Sequence, residues 1–235
     1  MATPEFDLLI SNGCVYDGLG NPGVEMDVAV KGDRISLLSR GIPSARAGTV
    51  IDARGMAVAP GFIDPHSHTD IELLVNARAE SKIRQGVTTE IAGNCGYTVF
   101  PLSRLNYEER RRYCDEQYGV PLIWRDLEGF FGELESKGIA VNYATFMGHG
   151  TLRSAVFGAQ DRPPTTEEMS AMKALIRENM QMGAMGLSTG LIYVPGCFAD
   201  RQELISLCRE TAVYGGIYST HMRNESDYLV EAVEE

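Results

Sequence analysis

The sequence predicts an α/β fold: about five βα units, the first part of an incomplete (β/α)8 barrel of the TIM type, preceded by N-terminal β-hairpins. Three observations predict it. Short alternating strands separated by tight-turn residues fill residues 1–56. After Gly61, apolar strand-like runs alternate with helical patterns, which implies parallel βα units. All four histidines fall at the C-terminal ends of such runs, the end where (β/α) barrels build their active sites.

The hairpins come first. FDLLI and CVYDG flank Ser11-Asn12-Gly13, and Asn-Gly supplies the positive φ angles of a tight turn. The pattern repeats in MDVAVKGDRISLL around Lys31-Gly32-Asp33 and in TVIDARGMAVAP around Ala53-Arg54-Gly55. Alternating apolar residues predict a small sheet with one buried face. The expected barrel strands are Gly61–Asp64, Thr88–Ala92, Val141–Met147, Met185–Ser188 and Gly216–Thr220. Between the second and third, residues 100–140 form a long, mostly helical excursion whose Arg110–Arg112 run reads as a solvated helix face. Thr165 and Glu168 have capping-box spacing, Met169, Met172, Ile176 and Met180 form an apolar stripe, and Gly183 stops that helix. Asp200 and Glu203 suggest a second box, with Leu204, Ile205, Cys208 and Ala212 facing inward.

Composition narrows the function classes. An apolar content of 44% with 23% charged residues is that of a globular protein. A net charge of −11 argues against nucleic acid or an anionic membrane as the main partner, since both attract basic surfaces. No run is long enough to span a bilayer, and MATPEFDLLI lacks the basic start and apolar core of a signal peptide. Five scattered cysteines do not resemble a disulfide framework, so a reducing cytoplasm is the expected setting.

The chemistry concentrates at the strand ends. In GFIDPHSHTD, His66 and His68 are two apart in extended chain and project together, so one metal ion can sit between them; two ordinary loop histidines are the plain alternative. Cys95 in AGNCGYT ends the next strand, where a thiolate would be a strong ligand, although most cysteines are simply buried. His149 in MGHGT and His221 in STHMRNE end later strands, and one catalytic face explains all four histidines. Tyr193, in GLSTGLIYVPG, is placed to donate a hydrogen bond to a carbonyl oxygen gaining charge, or to pack. Arg223 and Asn224 could recognise a substrate carboxylate; equally, Arg223 could pair with a nearby acid.

These residues resemble a known family. PGFID-x-H-x-H after hairpins is similar to the amidohydrolase superfamily. Within it GFIDPHSHTD, QGVTTEIAGNCG, GHGTLR, MGLSTGLIYVPG and STHMRNE resemble the N-acyl-D-amino-acid deacylases, or D-aminoacylases. GNCG is the discriminating piece, because hydantoinases and dihydroorotases typically bridge metals with a modified lysine. The resemblance implies that residues 1–56 begin a small β-sandwich and 57–235 begin a metal-dependent barrel. It implies that His66 and His68 hold the more exposed metal position, and that Cys95 and His221 hold one tight zinc, a second metal being optional. It also implies that Tyr193 faces substrate and that His149 lines the site in a role left unassigned.

The resemblance further implies zinc-dependent hydrolysis of N-acyl-D-amino acids to a carboxylic acid and a D-amino acid. The family pattern needs another histidine from a sixth strand and a general-base aspartate from an eighth, and neither is in this chain. It therefore reads as an N-terminal piece that would lack its C-terminal half or form oligomers through an open side. A cyclic-amide hydrolase of hydantoinase or dihydroorotase type, an inactive metal-binding fragment and a purely structural partner-binding module stay open.

Overall fold

The computed structural model describes residues 3–235, which divide into two compact units between Gly61 and Phe62. The first holds β1 (Phe6–Val15), β2 (Val24–Lys31), β3 (Arg34–Ser39), β4 (Ala47–Asp52) and β5 (Ala57–Val58). They make one sheet in the order β3-β2-β1-β4, with β5 also on β1. This unit runs past residue 56, the expected boundary, because β5 pairs with β1. The Gly32 hairpin between β2 and β3 forms as predicted.

The other two hairpins do not. Ser11-Asn12-Gly13 is an irregularity inside the continuous strand β1, not a turn. Asn12 does adopt a positive φ of 61°, which suits a bulge as well as a turn, and its N–H donates to buried Asp27 at 2.8 Å. At Ala53-Arg54-Gly55 the chain does not reverse either: β4 and β5 both run parallel to β1. Phe6, Leu9, Ala29 and Ile42 form the small core beneath.

The second unit contains six short strands: β6 (Phe62–Asp64), β7 (Val87–Ala92), β8 (Asn142–Thr145), β9 (Met147–Gly148), β10 (Gly186–Gly190) and β11 (Ile217–His221). All their pairings are parallel, in the orders β6-β7-β8 and β9-β10-β11. Only Phe146 separates β8 from β9, and its N–H donates back to Ala92 on β7 at 3.0 Å. The helices are α1 (Glu72–Val75), α2 (Glu80–Ile83), α3 (Tyr107–Tyr118), α4 (Leu127–Lys137), α5 (His149–Phe157), α6 (Thr166–Gln181), α7 (Arg201–Ala212) and α8 (Leu229–Glu234). The result is a mixed α/β unit in which each strand's C-terminal end opens into a loop or helix start.

Packing follows the apolar stripes. Phe100, Trp124, Leu127 and Phe130 form one core under the helical excursion. Met147, Met172, Ile176, Leu187 and Leu207 form another between strands and helices. The α6 capping box is complete in both directions, Thr165 accepting from the Glu168 N–H and Glu168 from the Thr165 N–H.

The second box forms only by half. Asp200 accepts from the Glu203 N–H at 2.8 Å, but the Glu203 side chain turns inward instead of capping back. Its oxygens accept hydrogen bonds from His149 Nε2 at 2.8 Å and Arg153 at 2.5 Å, all three side chains being buried. This rotates α7 from its expected face. Glu203, Leu204, Leu207 and Thr211 are buried, while Ile205 and Cys208 are half-buried and Ala212 is exposed. Arg153 also donates to the carbonyls of Gln160 and Arg162. His149 is thus a fully buried member of a hydrogen-bonded network with Glu203 and Arg153 beneath the site and does not line it.

Burial raises the Glu203 pKa, but hydrogen bonds and charge from His149 and Arg153 outweigh it, leaving the group below its ordinary value of 4.5. The resulting stabilisation is complete above that value and fades as pH falls through the lower folded-state pKa. Glu203→Gln leaves a buried cation uncompensated and is expected to cost about 3–5 kcal/mol at neutral pH. The loss should shrink as pH drops below 4.5. Urea unfolding of both proteins across pH 3–7 checks it, and an equal loss at every pH would contradict it.

Candidate metal centre

His66 follows β6 by two residues, Cys95 follows β7 by three, Tyr193 follows β10 by three, and His221 ends β11. The fold brings these strand ends together. The donor atoms of His66, His68 and Cys95 all lie within 4.8 Å of one another. Cys95 Sγ is 3.4 Å from His66 Nε2 and 3.5 Å from His221 Nδ1. The Tyr193 hydroxyl lies 3.4 Å from the same His221 Nδ1, with the two rings edge to face at 4.9 Å. Four of the predicted site residues therefore surround one thiol-and-imidazole cluster, and Tyr193 stands over it.

The loop that carries Cys95 is unusual backbone. Cys95 has φ of 53°, in the left-handed region that a cysteine rarely enters. A neighbouring strand and one bond within the loop hold it there. Ser188 on β10 accepts from the Gly96 N–H at 3.1 Å and donates to the Gly93 carbonyl. The Asn94 amide donates to Ile91 at 2.9 Å. Gly190 leaves the space: a Cβ there would come within 2.1 Å of the Cys95 carbonyl oxygen. Ser188 and Asn94 lie in stretches already singled out in the sequence, but only the tertiary path shows that they brace the cysteine.

Electrostatics suit metal ligation. Burial and the His66 charge hold the His68 pKa below its ordinary value, which favours the neutral imidazole that binds metal. Burial and the Glu225 carboxylate raise the Cys95 pKa, so the bare thiol stays protonated without a nearby cation. His221 Nε2 is buried without a hydrogen bond, with the Glu225 carboxylate 3.1 Å away but off the N–H direction. Two or three imidazoles with a thiol form a donor set of zinc type, so these residues fit the ion.

The remaining candidates do other work. Arg223 pairs with Glu235 at 2.8 Å and donates to the carbonyls of Cys197 and Ala199, so its fork is occupied. The Asn224 side chain accepts from the N–H groups of Ser226 and Tyr228 and caps a turn. The carboxylate-binding expectation for both is corrected: their polar groups hold the chain after β11. Of the arginine run, Arg111 and Arg112 are exposed as read, while Arg110 stacks 4.1 Å over the Tyr97 ring.

A cavity of about 370 Å³ opens beside the cluster, walled by His68, Cys95, Tyr97, Thr151, Tyr193 and Pro195 among others. The pattern of the Amidohydrolase family matches residues 49–204, from β4 of the first sheet to α7. The chain belongs to the amidohydrolase family. This amidohydrolase is 42% identical to a D-aminoacylase of Alcaligenes xylosoxydans xylosoxydans over 98% of its own length and 47% of the relative's. It is 39% identical to an N-acyl-D-aspartate deacylase of the same organism, over 100% and 47%. Among solved structures, it matches an N-acyl-D-glutamate deacylase of Bordetella bronchiseptica, complexed with zinc and a phosphonate inhibitor. That match has a TM-score of 0.87 and 34% identity over 98% of this chain and 48% of the other. The chain spans about half the length of the curated relatives it matches.

Protein purified without added metal is expected to hold close to one zinc per chain, largely lost in Cys95→Ala. Elemental analysis of both checks it. Equal zinc in the two proteins would remove Cys95 from the ligand set.

Proposed function

We propose that this amidohydrolase is the N-terminal portion of a zinc-dependent deacylase that hydrolyses the linear amide bond of N-acyl-D-amino acids. The single observation that carries the reading is the convergence of Cys95 with His66 and His68 at successive strand ends. The likeness to D-aminoacylase and to the aspartate and glutamate deacylases along almost the whole chain supports the substrate class.

On this reading the six strands β6 to β11 fill the first five positions of a (β/α)8 barrel, β8 and β9 sharing the third, and the N-terminal sheet is the first part of a β-sandwich. The terminal strands support it: Phe62 on β6 and Ile217 and Tyr218 on β11 expose large apolar side chains that further strands would cover. The cysteines are scattered and unpaired, and we infer from them a cytoplasmic enzyme, with a small-molecule substrate.

His66, His68, Cys95 and His221 would hold zinc, with one tight site and a second as an option. When bound, zinc polarises the amide carbonyl and brings the pKa of a coordinated water toward neutrality. Tyr193 is half exposed beside the cluster and donates its hydroxyl to the carbonyl oxygen as charge builds there. The general base that takes the water's proton and returns it to the leaving amine is supplied by the C-terminal portion. The chain alone is therefore expected to bind metal without turning over substrate.

The full-length enzyme is expected to hydrolyse N-acetyl-D-methionine and to leave the L-enantiomer. Tyr193→Phe should lower kcat by about 10²–10³-fold with little change in KM, since it removes a donor used in the transition state. Unchanged kcat would remove Tyr193 from that role. Turnover of a cyclic hydantoin with no turnover of the linear amide would overturn the substrate class.

A further inference from the structure

A second cavity adjoins the first across a shared wall. His68 and Tyr97 border both the 370 Å³ space beside Cys95 and a neighbouring space of about 280 Å³. Beyond that wall the second space, which opens to solvent, is lined by Ile71, Tyr113 and Tyr118, with the acidic side chains of Asp70 and Glu72. The tyrosines form a chain of edge-to-face contacts, Tyr97 to Tyr113 at 6.2 Å and Tyr113 to Tyr118 at 5.6 Å. The Tyr118 hydroxyl donates to Glu72 at 2.9 Å, which fixes the outer ring. Tyr113 and Tyr118 come from α3, in the excursion between the second and third barrel-type strands.

The amide of an N-acyl amino acid has two arms, an acyl chain on one side and an amino acid with its carboxylate on the other. The charge of the second cavity separates them. It carries two carboxyl groups and no lysine or arginine, so an anionic arm is repelled there. Its tyrosine rings offer faces and edges suited to another aromatic ring. Size agrees, because an apolar protein cavity of roughly 150 Å³ already accepts benzene.

We propose that the tyrosine-walled cavity behind His68 is the acyl subsite, and that it takes an uncharged aryl-acyl group such as phenylacetyl in preference to an acyl chain bearing a carboxylate. The assignment rests on the deacylase reading and adds the side of the cluster on which the acyl arm lies.

The test uses the full-length, zinc-loaded enzyme with N-phenylacetyl-, N-acetyl- and N-succinyl-D-methionine, beside binding of phenylacetamide by calorimetry. The phenylacetyl-to-acetyl ratio of kcat/KM should exceed one in the wild type and fall about tenfold in Tyr113→Ala, the scale on which a lost apolar contact discriminates substrates. Tyr118→Ala should move the ratio the same way, and Glu72→Gln should raise succinyl turnover relative to acetyl. Phenylacetamide should bind about tenfold more weakly to Tyr113→Ala. A ratio unmoved by both tyrosine variants, or phenylacetamide binding unmoved by Tyr113→Ala, would overturn the assignment. Weakened phenylacetamide binding without hydrolysis of any N-acyl-D-methionine would keep the aryl site and overturn the deacylase reading instead.

Discussion

The site depends on one strained residue. Cys95 sits in a left-handed backbone conformation that costs on the order of 1–3 kcal/mol for a side chain with a Cβ. Locally the Asn94 amide donates to the Ile91 carbonyl, but most of the hold is not local. The loop is held from outside, by the Ser188 hydroxyl of β10 on Gly96 and Gly93, and by the bare backbone of Gly190 against the Cys95 carbonyl. The outcome is a sulfur within 3.5 Å of ring nitrogens from two other strand ends. Parallel strand order puts the loops on one side; the strain chooses which side chain points into their midst.

The layer beneath is equally committed. Glu203 could have capped its own helix, as Glu168 does at the start of α6. It instead crosses to His149 and Arg153 on α5, which fixes α5 and α7 together under the loops that carry Tyr193. A buried pair of this kind is weak support for stability in general, because desolvation offsets most of its attraction. Its effect is directional: with both hydrogen-bond partners on α5, only one rotation of α7 satisfies the carboxylate.

Much of this was legible in the sequence where the rule is local. The strands after Gly61 follow from apolar runs, and α6 follows from Thr165, Glu168 and a stripe of period 3.6. The meeting of His66, His68, Cys95 and His221 was legible because each ends such a run. Failures came where a residue has two competing uses. Asn12 at positive φ serves a bulge as readily as a turn, and a buried Asp27 from the neighbouring strand decided between them. Glu203, His149 and Arg223 each carry a polar group whose partner lies far away in sequence, so spacing alone could not show that those partners were structural. The bracing of Cys95 by Ser188 and Gly190 was hidden for the same reason.

The central claim is that Cys95, with the histidines at the strand ends, ligates one metal ion. X-ray absorption at the zinc edge of the zinc-loaded protein tests it most directly. The account predicts one sulfur neighbour at about 2.3 Å with imidazole nitrogens at about 2.0–2.1 Å. A shell of nitrogen and oxygen alone would contradict it and leave the strained cysteine without the role assigned to it.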